Sequence, residues 1–81
     1  MTQKYIKKNL ELSLEFDRRV VRNPDIMAKV PSGACIIITT KGDEVFNRES
    51  RSLAEQASKS GGKCFEAKKD GSRWTVKQFA Y

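Results

Sequence analysis

The residue types that do chemistry are sparse in this chain. There is no histidine, which removes the commonest general base, the commonest metal ligand and the usual partner of a nucleophilic Cys or Ser. The two cysteines, Cys35 and Cys64, are too few and too far apart in sequence for a disulfide framework or a zinc site. Asp43 and Glu44 are adjacent, so spacing alone does not make them a converging carboxylate pair. The sequence therefore assigns no catalytic residue, no metal site and no cofactor.

Two stretches could bind something. Thr39-Thr40-Lys41-Gly42-Asp43 follows a strand pattern and opens a helix pattern, with Asn47 a turn further on. Free N–H groups at such a helix start attract anions, and ligands of α/β folds gather at these junctions. The spacing is not that of a P-loop, and a plain capped loop is the better account of it. Thr39, Thr40, Asp43 and Asn47 are its candidate ligand-binding residues. The second stretch is basic: Lys68, Arg73 and Lys77, with Lys69 near a turn, form the candidate nucleic-acid surface. Glu66 interrupts it, and Trp74 is expected to point inward. Only Phe79 and Tyr81 are then left as aromatics for base stacking. A solvated sheet face that resists edge aggregation is the simpler account of the same lysines.

Sixteen Lys and Arg against ten Asp and Glu leave a net charge of +6, which suits nucleic acid or an acidic protein partner. With 81 residues, 38% apolar and 32% charged, the chain is expected to form a single domain over residues 1–81. Its longest apolar run is far below the roughly 18 residues of a membrane helix. The opening residues lack the apolar core of a signal peptide, so a cytoplasmic protein with no membrane contact is expected.

The elements that must carry these patches are legible from periodicity. Residues 4–22 have the helical period, with Tyr5, Ile6, Leu10, Leu12, Leu14, Phe16, Val20 and Val21 spread over a wide arc. Asn9, Ser13 and Asp17 run as a polar thread down that arc. They read either as packing and loop contacts or as the wall of a pocket or subunit interface. Asn23 and Pro24 start a short second helix that Pro31 ends. The run Ala34-Cys35-Ile36-Ile37-Ile38-Thr39-Thr40 is β-branched and apolar at nearly every position, the pattern of a central or parallel strand covered on both faces. A helix capped by Asp43 follows, with Phe46, Ser50, Leu53, Ala54 and Ala57 as its apolar stripe, and Gly61-Gly62 closes it. The last stretch reads as a hairpin turning at Asp70-Gly71. That turn pairs Lys69 with Ser72, Ala67 with Trp74 and Phe65 with Val76. It puts Phe65, Ala67, Trp74 and Val76 on one face, and Cys64, Glu66, Lys68, Arg73, Thr75 and Lys77 on the other.

Three stretches, residues 6–18, Asn23-Pro24 and residues 30–34, with Phe46-Asn47 continuing them, resemble a short prokaryotic family known only as a domain of unknown function. The resemblance lies mainly in the N-terminal half. It implies a prokaryotic cytoplasmic protein and carries no catalytic residues with it.

The expected architecture is a small α+β fold of two layers, in the order helix, short helix, strand, helix, strand, strand. Its three-stranded mixed sheet has the long helices packed on it, with a right-handed parallel crossover. The isoleucine strand then has an apolar face that the polar side of the hairpin does not match. Either the N-terminal helix covers that face or a second copy does, which makes Cys35, Ile37 and Thr39 candidate homodimer interface residues. The leading functional expectation is a non-enzymatic interaction module that self-associates. A small nucleic-acid-binding or antitoxin-like regulator is the alternative, and ligand binding at the loop after the first strand comes third.

Overall fold

A computed structural model of the chain describes residues 2–79. Helix α1 spans Gln3–Arg22 and a short 3-10 turn spans Pro24–Met27. Strand β1 is Cys35–Thr40, helix α2 is Glu44–Lys59, and strands β2 and β3 are Cys64–Asp70 and Arg73–Gln78. The order is the one the sequence pattern requires. Both helix starts are capped as their residues dictate. Thr2 Oγ1 accepts from the Tyr5 N–H at 3.1 Å, and Asp43 Oδ1 accepts from the Phe46 N–H at 3.1 Å.

The sheet order is β1-β2-β3, with β1 parallel to β2 and β2 antiparallel to β3. The isoleucine strand is thus parallel but lies at an edge. Its alternate side chains enter two separate clusters, as the period of two demands. Ile36 and Ile38 pack with Tyr5, Leu12 and Phe16 of α1 and with Ala67 and Trp74 of the hairpin. Ile37 packs with Ala54 of α2 and with Cys64, and Cys35 and Ala57 border that cluster. Phe46 and Leu53 of α2 also reach the first cluster. The apolar face that the sequence left unmatched is therefore covered by α2 within one chain. Ile37 and Thr39 are only 5% and 1% exposed and Cys35 is half-buried. The interface expected at Cys35, Ile37 and Thr39 has no open surface to form on.

The hairpin corrects a second expectation. Asp70 pairs with Arg73, Lys69 with Trp74, Ala67 with Val76 and Phe65 with Gln78, so the two-residue loop is Gly71-Ser72. Gly71 has φ +65° while Ser72 keeps a negative φ. That combination suits a turn that wants Gly at its first central position, whereas a turn centred on Asp70-Gly71 would need positive φ at Asp70 as well. The shift in pairing is two residues, so every side chain stays on the face first assigned to it.

Two aromatic contacts pin α1 to the rest. Tyr5 lies against Phe46 with ring centroids 4.9 Å apart, and Phe16 lies against Trp74 at 5.0 Å. Tyr5 Oη also shares a hydrogen bond with Ser50 Oγ at 2.8 Å. Truncating buried Ile37 or Ile38 to Ala is expected to cost about 2–5 kcal/mol in urea unfolding. Val45→Ala, on the open side of α2, is expected to cost less than about 0.5 kcal/mol. Equal losses at the buried and open positions would contradict this packing.

Candidate functional site

The loop after β1 is assembled from groups that satisfy one another. Thr39 Oγ1 donates to Glu66 Oε2 at 2.6 Å, and both residues are buried. Asn47, 3% exposed, holds Thr40 from both sides: its Oδ1 accepts from the Thr40 N–H at 2.8 Å and its Nδ2 donates to the Thr40 carbonyl at 2.9 Å. The register with β2 turns the backbone groups of Cys35, Ile37 and Thr39 toward β2 and those of Ile36, Ile38 and Thr40 toward the free edge. The Asn47 amide therefore stands in the place of a fourth strand at Thr40.

Asp43 is engaged twice, as the cap of α2 and as the partner of Lys8 in an ion pair that also sets the Lys8 ammonium 5.3 Å from the Phe46 ring centroid. The Lys8 hydrogen bond, followed by the Phe46 N–H, holds the Asp43 carboxyl below its usual range. A lowered carboxyl pKa stabilises the fold above the unfolded value and stops doing so as pH falls through the folded one. The positive end of α2 thus already holds a carboxylate. Of the candidate ligand residues, Thr39, Asp43 and Asn47 spend their side chains on the fold and Thr40 its backbone.

The basic patch divides. Lys68, Arg73 and Lys77 are exposed on the side of the hairpin that α2 leaves open. Lys69, next to Lys68 and so on the opposite face, is half-buried and ion-paired with Glu15 of α1 at 2.7 and 2.9 Å. Strand alternation takes it out of the patch. Glu66 does not interrupt the surface, because it is buried with Thr39. Trp74 is buried as expected, Phe79 is half-buried, and Tyr81 lies outside the described residues.

Three features went unread in the sequence. Arg18, Arg19 and Arg22 lie beside the hairpin turn, where Arg19 Nη2 donates to the Ser72 carbonyl. Only the tertiary approach of α1 to the hairpin reveals this. Cys35 and Cys64 are direct neighbours in the β1–β2 register, although 29 positions separate them in sequence (64 − 35). Burial, then the Cys64 thiol, pushes the Cys35 thiol up to about 11. Third, the wide apolar arc of α1 splits. Tyr5, Leu12 and Phe16 are buried, whereas Ile6, Leu10 and Leu14 are 53%, 59% and 50% exposed. Asn9, Ser13 and Asp17 run along the border between the two. Ser13 and Asp17 also help line a hollow of about 190 Å³ with Phe16 and Ile36, and Asn9 lies outside that lining. An apolar arc of about 100° suffices to face one core, so the excess was the sequence signal for a second surface. A larger hollow, about 540 Å³, lies between the 3-10 turn and the hairpin, with Ile26, Val30, Phe65 and Val76 as its apolar lining.

Asn47→Ala removes two hydrogen bonds from a buried segment and is expected to cost about 1–3 kcal/mol. Asn47→Asp should be at least as damaging, because a carboxylate cannot donate to the Thr40 carbonyl. Chemical denaturation measures both. Cys35 should react with a thiol reagent more slowly than a free thiol near neutral pH, since the thiolate is the reactive form. Its raised pKa contributes stability that is complete below pH 9 and is lost as pH rises toward about 11. Labelling followed by mass spectrometry checks the rate.

No curated protein and no solved structure is detectably similar to the chain. One family model does match, over residues 4–69, from the start of α1 almost to the end of β2. With most of its length inside that match, the chain belongs to a family of unknown function (DUF5647).

Proposed function

We propose that the protein is a non-enzymatic interaction module that self-associates through α1. The observation that carries this reading is the exposed row Ile6, Leu10 and Leu14, spaced by four on a helix whose opposite side is already buried. Residues four apart stack along one helix face, so the three side chains make a continuous apolar strip. The strip is self-complementary. In an antiparallel pair centred on Leu10, Leu10 meets Leu10 of the second copy, and Ile6 meets its Leu14 on either side. A two-fold axis brings like flanks together, so Lys7 then lies near Glu11 of the second copy, twice over. An opposite-charge flank of that kind fixes orientation. The engagement of Thr39 with Glu66, of Asp43 with Lys8 and of Asn47 with the Thr40 backbone supports a role without catalysis, because the groups best placed for chemistry are spent on the fold.

Sedimentation equilibrium at micromolar concentration tests the reading. The native chain is expected to sediment as a dimer and Leu10→Glu as a monomer. Thermal unfolding at equal protein concentration controls for a fold that is intact, since Leu10 packs against nothing within the chain's own core. A native monomer, or a Leu10→Glu dimer, overturns it.

A further inference from the structure

Two hollows adjoin at the hairpin turn and share Arg19, Ser72 and Trp74. One, of about 190 Å³, is lined further by Arg18, Arg22 and Glu15. Its neighbour, of about 280 Å³, is lined further by Arg73 and Asn23. Four arginines from two distant parts of the chain thus converge on one place. Glu15 is the one carboxylate in the lining, and Lys69 already neutralises it through both oxygens. Arg18, Arg19, Arg22 and Arg73 take no part in an ion pair among the described residues. Arg19 is oriented by its bond to the Ser72 carbonyl, and the other three are exposed with their forks uncommitted. All four charges are guanidinium, the group whose planar donors match the oxygens of a phosphate.

We infer that this arginine cluster, with Arg19 as its fixed member, binds the phosphodiester backbone of a nucleic acid. Arg18 and Arg22 lie one helical turn apart on the same face of α1. That row of donors suits successive phosphates of a strand better than a single anion. Arg73 continues the positive surface round the turn to Lys68 and Lys77 on the open face of the hairpin. Trp74 closes the floor of both hollows but is buried, so it offers no ring face on which a base could stack. Contacts to phosphate without contacts to bases give binding that ignores sequence and depends steeply on salt. The cluster adjoins the apolar strip of α1, since Arg18 follows Leu14 by four residues, while Arg19 and Arg73 lie off that row at the hairpin turn.

Fluorescence anisotropy with a labelled duplex DNA, a single-stranded RNA and a labelled polyglutamate of matched charge tests the inference. Four phosphate contacts predict a slope of log affinity against log salt of about −3.6 on duplex DNA, a loss of roughly 10²-fold between about 50 and about 200 mM salt. The triple variant Arg18→Gln, Arg22→Gln, Arg73→Gln should bind more weakly and flatten that slope to about −0.9, the value for one remaining contact. Lys4→Gln, Lys59→Gln, Lys63→Gln removes the same charge from exposed positions outside the two hollows and should leave the slope near that of the native chain. Thermal unfolding of both variants reports whether the fold is intact. Tighter binding of the duplex or of the RNA identifies which nucleic acid is preferred, and either supports the inference. Equal losses from the two triple variants, polyglutamate bound as tightly as nucleic acid, or no binding at the lowest salt each overturn it.

Discussion

A strand with no polar side can sit at the rim of a sheet only if something roofs both of its faces, and the rest of this fold follows from that demand. β1 carries isoleucine at three successive positions, so neither face can be left to water. The chain meets the requirement with one helix for each side. α1 brings Leu12 and Phe16 against Ile36 and Ile38, while α2 brings Ala54 and Ala57 close to Ile37 and Cys35. The residue sizes suit the distances. Large side chains fill the α1 side, and alanines let α2 approach the sheet closely. With α2 committed to the β1 side, the outer part of the hairpin stays open, and polar Arg73, Thr75 and Lys77 belong there.

Polar contacts then fix how α1 lies across the sheet. Near its start, Lys8 meets Asp43 and Tyr5 meets Ser50; further along, Glu15 meets Lys69 and Arg19 meets the Ser72 carbonyl. Surface ion pairs of this kind are individually weak. Distributed along a 20-residue helix that also buries Phe16 and Tyr5, they choose one orientation among several that the apolar contacts alone would accept. The choice has functional weight. It decides which part of the helix faces water as an apolar strip and which part brings three arginines to the hairpin turn.

Element types and order were legible because local signals agreed: helical period in residues 4–22, a β-branched run, an Asp cap and a Gly-Gly stop. The hairpin faces were legible too, since alternation depends only on parity, whereas the turn itself turned on the preference of Gly71 for the first loop position. What periodicity could not give was which helix covers which face of β1, and that undid the interface expected at Cys35, Ile37 and Thr39. Both helices have apolar stripes, and nothing local labels a stripe with its destination. Lys69 illustrates the same limit at the site. It reads as one more cation of a basic stretch until the strand's alternation and the position of Glu15 are both known. The cluster of Arg18, Arg19, Arg22 and Arg73 joins residues more than fifty positions apart, a distance at which pattern carries no information.

The amide of Asn47 has a meaning for how this chain is made as well as for how it stands. A β-ladder is a growing polymer whose ends recruit further strands, and an isoleucine-rich end is the most dangerous kind. Asn47 acts on Thr40 as a chain terminator acts on such a polymer, filling the next position at that end of the edge, beyond Ile36 and Ile38, with a unit that cannot be extended. It lies only seven residues downstream. Closing so short a loop takes well under a microsecond, while β2 and β3 must still be synthesised before they can pair. The stop therefore travels with the strand it protects, and it is in place from the moment α2 forms.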